Sequence, residues 1–191
     1  LGWLSLAAVP SDAAVTITFW SHDQDNDFPH AFFALKGTPD AGGEAIDANY
    51  GFTAKAVTPA ILLGSVGGEV QTAKPGYIRR SDAQFSVVLS DAQLADVQAL
   101  IADWSKVKYN LNRRNCVHFV AEALRRSGVT VPDLPKLMKK PKSFLVAVGA
   151  ANEGRVTQLR MDGKAYVAAY GVPGAAAGTP ETESRPISGG D

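Results

Sequence analysis

The sequence predicts an α+β fold in which an antiparallel β-sheet packs against helices, and three features lead to it. Runs rich in β-branched and aromatic residues at 15–20, 30–35, 45–52 and 84–89 are separated by clusters of Gly, Pro and Asp, the pattern of short strands joined by turns. Segments 90–106 and 116–127 instead repeat their apolar residues at helical spacing, with broad stripes that call for burial. Between them a polar, cap-rich stretch from Tyr109 to Asn115 delivers the only cysteine, Cys116, to the first turn of the second helix.

Bulk properties narrow the function. With 191 residues, 46% of them hydrophobic, the chain suffices for one domain with a good-sized core. Lys plus Arg and Asp plus Glu number 19 each, so no overall field draws the protein to nucleic acid or an anionic membrane surface. A single cysteine excludes an intrachain disulfide and metal sites built on paired cysteines. Residues 1–14 form a short apolar run followed by small residues; they read either as the end of a secretory signal or as an N-terminal extension. Export predicts a periplasmic or secreted protein, with a cytoplasmic one as the alternative. A lone cysteine suits the exported reading best if it is catalytic.

Residues 15–20 make the first strand and lead into an acidic loop containing His22, Asp23, Asp25 and Asp27. The acidic spacing opens like a calcium loop but lacks its glycine and closing carboxylate, so a solvated loop is expected, with His22 in solvent. A second strand starts at His30. The Gly/Pro/Asp-rich turn at 36–43 folds the next strand, 45–52, back antiparallel beside it. Asp47 and Asn49 lie two apart on that return strand and share a face. Either could orient His30, or both could line a solvent-facing edge. Pro59 to Gly64 is compatible with a short helix or a strand.

Ser90 and Gln93 form a capping box, followed by Leu94, Val97, Leu100, Ile101 and Trp104 as a core stripe. The second helix buries Val117, Phe119, Val120, Ala123 and Leu124, and Ser127-Gly128 ends it. A thiol at its N-terminus meets partial positive charge and unpaired N–H groups, which favour thiolate and can receive an oxyanion. A plain buried cysteine is the alternative. His118 lies two residues on, facing another side, and suits a structural role. Residues 134–142 carry a basic cluster that could face an anionic substrate or only solvent. Pro141 opens a last short helix. From 154 the character changes, and the Ala, Gly, Pro, Ser and Thr content towards 191 predicts a flexible tail. No repeat, Gly-rich phosphate loop or basic–aromatic nucleic-acid pattern is present.

A strand beginning at His30, a hairpin return, a capped helix, and Asn115-Cys116 opening a buried helix together resemble the circularly permuted branch of the papain-like cysteine hydrolases. That branch is related to NlpC-type cell-wall peptidases, lecithin:retinol acyltransferase-like proteins and PPPDE-type isopeptidases. Residues 29–35 are similar to its histidine strand, and residues 109–120 to its Asn-Cys-x-x-Phe helix start. The resemblance covers roughly residues 15–153 and implies a permuted papain-like domain with the histidine strand before the cysteine helix. It implies Cys116 as nucleophile, His30 as base, Asp47 or Asn49 as orienting residue and the Cys116 N–H as oxyanion donor. Asn115, Tyr109 and Tyr50 are expected in the substrate site, with no metal or cofactor. The branch includes peptidases of cell-wall peptides, isopeptidases and lipid acyl transferases. The resemblance therefore implies a thiol-dependent amide hydrolase with peptidoglycan peptides as the leading substrate. A thiol acyltransferase or lipase-like enzyme, and a binding protein with an inert Cys116, are the alternatives.

Overall fold

The computed structural model describes residues 14–23, 28–56 and 58–174. Six strands form one antiparallel sheet: β1 (Thr16–His22), β2 (His30–Gly37), β3 (Ile46–Ala54), β4 (Gly68–Gln71), β5 (Asp82–Val88) and β6 (Thr157–Asp162). Their order is β4-β3-β2-β1-β5-β6, so β1 and β2 lie at the centre. The expected hairpin between the second and third strands is present, with Phe33 opposite Tyr50 and Ala34 opposite Asn49.

Strand alternation divides the core in two. Ile17, Phe19, Ala31, Phe33, Leu35, Phe52 and Phe85 point to one face and meet the apolar sides of α3 (Asp91–Trp104), α4 (Cys116–Arg126) and α5 (Pro141–Ala151). Trp20, Phe32, Ala34 and Ala83 point to the other face. There they meet Ile78 of α2 (Pro75–Ile78) and Tyr166 of α6 (Gly163–Tyr170). The remaining helix, α1 (Ala60–Leu63), is a single exposed turn that settles the ambiguous segment after Pro59. The aromatic cluster Phe33, Phe52, Trp104 and Phe119 locks α4 onto β2 and β3, with ring centroids 4.8 to 6.1 Å apart. Both helix starts expected from sequence are capped: Ser90 with Gln93, and Asn115 with His118.

One expectation changes. Residues 154–174 are not a tail, because β6 pairs with β5 and α6 covers the second face, where Tyr166 meets Trp20 edge-on at 4.6 Å. The Ala-rich composition of 163–170 that suggested flexibility is helix-forming once Asp162 caps Lys164 and Ala165. The chain then runs to Pro173 and Gly174, which bond to Asn49 and Asp47 on β3. The proposed signal remnant and the residues beyond 174 lie outside the described residues. Among the described residues no helix is long and apolar enough to cross a membrane.

Ending the chain at Glu153 removes an edge strand and the cover of Trp20. A cooperative loss of stability is expected in urea unfolding, and Tyr166→Ala alone is expected to cost about 3 kcal/mol.

Candidate functional site

Cys116 occupies the first position of α4 because Asn115 adopts an extended backbone and caps the helix. Asn115 Oδ1 accepts from the N–H groups of Val117 at 2.9 Å and His118 at 3.2 Å. Its Nδ2 donates to Leu111 O at 2.9 Å and to Met138 O at 2.8 Å. The amide is fully committed and buried, so Asn115 ties two loops to the helix and does not serve as a substrate donor, although it borders the cavity described below. The N–H of Cys116 itself is directed at its own sulfur, at the helix start where an oxyanion would be received.

His30 starts β2 and leaves the sheet on the face of Phe32, whereas the following residue, Ala31, points under α4. The two candidate side chains therefore come from opposite faces. Both border the space at the end of the strand, beyond the last β2–β3 pair, Phe32 with Gly51. There the Ala31 N–H is directed at the Cys116 sulfur, which sets the sulfur one peptide bond from His30. The imidazole lies across Gly51, where a Cβ would sit 2.5 Å from His30 Nε2. Only glycine leaves room for the ring there. Both residues line one cavity of about 1400 Å³ with Phe32, Phe52, Tyr77 and Tyr109.

Burial dominates the electrostatics. Cys116 is raised from 9.0 to about 11 by burial, against which the N–H groups of Ala31, Val117 and Cys116 itself pull downward. The thiolate expected at a helix N-terminus is thus overridden: the resting group is a thiol. His30 is lowered from 6.5 to about 4, first by burial and then by the charge of His22. The resting pair is neutral thiol and neutral imidazole. Tyr109 is raised to about 12 by burial and by its proximity to Cys116, so it faces the sulfur as a neutral phenol.

Neither residue proposed to orient His30 does so. Asp47 and Asn49 share a face as expected, and it is the face of His30, but the register carries them away from it. Asn49 sits opposite Ala34 and Asp47 opposite Lys36, four and six residues along β2, which is roughly 13 and 20 Å. Asn49 is buried and bonds to Ala73 N at 2.5 Å, Ala73 O at 3.3 Å and Pro173 O at 2.9 Å. Asp47 accepts from Gly174 N at 2.7 Å. Both are tethers for neighbouring chain segments. Tyr50 packs on Phe33 at 5.8 Å, on the face of β3 turned away from His30, and does not border the cavity; Tyr109 does. His118 closes the α4 capping box, as its structural reading required.

His22 was expected in solvent but is buried at the end of β1, directly opposite His30 in the ladder. Sequence held the signal: Thr16, Thr18, Trp20 and His22 continue one period-two face. Gly51, Tyr77 and Ser81 are the other contributors to this region that the sequence did not single out. Asp25 and Asp27 lie outside the described residues, and among those described no cluster of His, Cys, Asp and Glu could hold a metal ion. Comparisons with protein-family models, curated proteins and solved structures returned no match.

Gly51→Ala is expected to displace the His30 ring while leaving the far-ultraviolet circular dichroism unchanged, and to slow alkylation of Cys116 at least as much as His30→Ala. The depressed His30 also sets a pH dependence of folding. Its contribution is complete above pH 6.5 and is lost as pH falls through about 4, because the unfolded chain binds the proton first. Chemical denaturation across that window should show the decline, with a shallower slope in His30→Asn.

Proposed function

We propose that the protein is a thiol-dependent hydrolase of amide bonds, with Cys116 as nucleophile and His30 as general base and acid. The observation that carries this reading is the convergence of the two residues on one cavity, with the sulfur against the His30–Ala31 peptide and at the N-terminus of α4. A thiol and an imidazole at such a position are the components of acyl transfer. The permuted papain-like architecture suggested by sequence supplies the same order of parts, and a six-stranded antiparallel sheet covered by helices is compatible with it.

The steps follow from the neutral resting pair. His30 takes the thiol proton, directly or through one cavity water, as sulfur bonds to the carbonyl carbon. The Cys116 N–H and the Tyr109 hydroxyl receive the oxyanion. The carbon–nitrogen bond then breaks, His30 returns the proton to the leaving amine, and a thioester remains on Cys116. Water, deprotonated by His30, attacks the thioester to release the acid and restore the thiol. A cavity of this volume accommodates several residues of an extended substrate. Peptidoglycan peptides are the first substrate class to test, in a periplasmic or secreted setting.

The aromatic and aliphatic character of the lining, with Phe28, Phe32, Phe52, Ile61 and Leu62, favours a second reading on the same dyad: thiol acyl transfer from a lipid. Purified protein incubated with peptidoglycan is expected to release free amines, with a loss of about 10³-fold or more in both Cys116→Ala and His30→Ala. Release of fatty acid from phospholipid, with no amine release, would move the assignment to the second reading. No turnover of either substrate, with Cys116 alkylated at the same slow rate in His30→Ala, would assign the thiol to packing.

A further inference from the structure

We propose that His22 is a positioning residue for His30, held across the β1–β2 ladder in one tautomer by Ser81 and packed together with His30 against Tyr77. The inference rests on the reading of His30 as the base and fills the place that Asp47 and Asn49 vacate. His22 and His30 are Cα partners in the register. Side chains directly opposite in an antiparallel pair share a face, with Cβ atoms about 4.5–5.5 Å apart. The Tyr77 ring lies 4.2 Å from the His22 ring and 6.4 Å from the His30 ring, centroid to centroid. Phe32 stacks on His30 at 6.2 Å, and the bare backbone of Gly51 forms the remaining wall.

The tautomer follows from proton counting. Ser81 Oγ donates its single proton to Tyr77 O at 2.9 Å. Its contact with His22 Nδ1 at 3.2 Å must then be a bond donated by the imidazole. His22 is thereby fixed as the Nδ1–H form, with its ring plane set by Ser81 and Tyr77. It stands beside His30 at 1% exposure, where water screens little. Two imidazoles so placed cannot both be cations without mutual repulsion, so a charge on either ring opposes protonation of the other. The depressed His30 value, with His22 as its second cause after burial, agrees with this geometry. The other ionisable groups around His30 are Asp23 after β1, Tyr77 and Arg80 at α2, and Tyr109 and Cys116 at α4. Lys74 and Lys139 stand at the rim. None of these is an imidazole paired with His30 in the sheet.

The test uses the full chain with isotope-labelled histidines, following the imidazole resonances from pH 3.5 to 8 alongside iodoacetamide alkylation of Cys116. In His22→Gln, whose amide can still donate to Ser81, the His30 midpoint is expected to rise by about one pH unit. The acid limb of the alkylation profile should move with it. In the unsubstituted protein a through-space contact between the His22 and His30 ring protons should be seen, a readout that requires no variant to fold. An unmoved His30 midpoint in a folded His22→Gln protein overturns the inference, as does the absence of that ring–ring contact in the unsubstituted chain. Alkylation indifferent to His30→Ala overturns instead the assignment of His30 as base, while the coupling of the two rings is still read from the resonances.

Discussion

The side chain of Asn115 is the fixed point on which the site depends. Its two polar atoms make four bonds to the backbone of Val117, His118, Leu111 and Met138. One buried amide therefore starts α4, orders the loop before it and anchors the segment after the 3₁₀ turn at Pro135–Leu137. Capping consumes the second and third N–H groups of the helix and leaves the first, that of Cys116, beside its own sulfur. The aromatic packing of Phe119 against Phe33 and Phe52 then fixes the helix on the sheet, so the sulfur's place against β2 follows from backbone geometry.

Magnitudes decide the protonation of the pair. A helix N-terminus stabilises an anion by about 0.3–2 kcal/mol, and the N–H groups directed at the sulfur add to that. Burial still raises Cys116 from 9.0 to about 11, a preference for the thiol that outweighs the helix terminus. Desolvation moves His30 the opposite way. Both shifts favour neutrality, so the chemistry proposed here creates charge only when a substrate carbonyl is present to receive it.

Much of the fold was legible because periodicity and caps are local. The strand at His30, the hairpin return, the Ser90 capping box and the α4 stripe all follow from neighbours within a few residues. What failed was long-range. Asp47 and Asn49 were placed on the correct face but at the wrong height, because register depends on where β2 and β3 begin to pair. At His22 the charges that follow in the chain point to solvent, while the period-two signal before it points to burial, and burial wins. The segment 163–170 looked structureless because its role, covering Trp20, is visible only once the sheet has a second face. Gly51 carried no local signal at all; its meaning comes from an imidazole on the next strand.

The burial of Cys116 also bears on its survival. Peroxide and disulfide exchange attack the thiolate, and a group at about 11 is ionised at pH 7 to only about one part in ten thousand. A lone cysteine held in that form resists sulfenic acid formation and mixed disulfides. The same wall of apolar side chains that suppresses ionisation thus acts as a shield against oxidants.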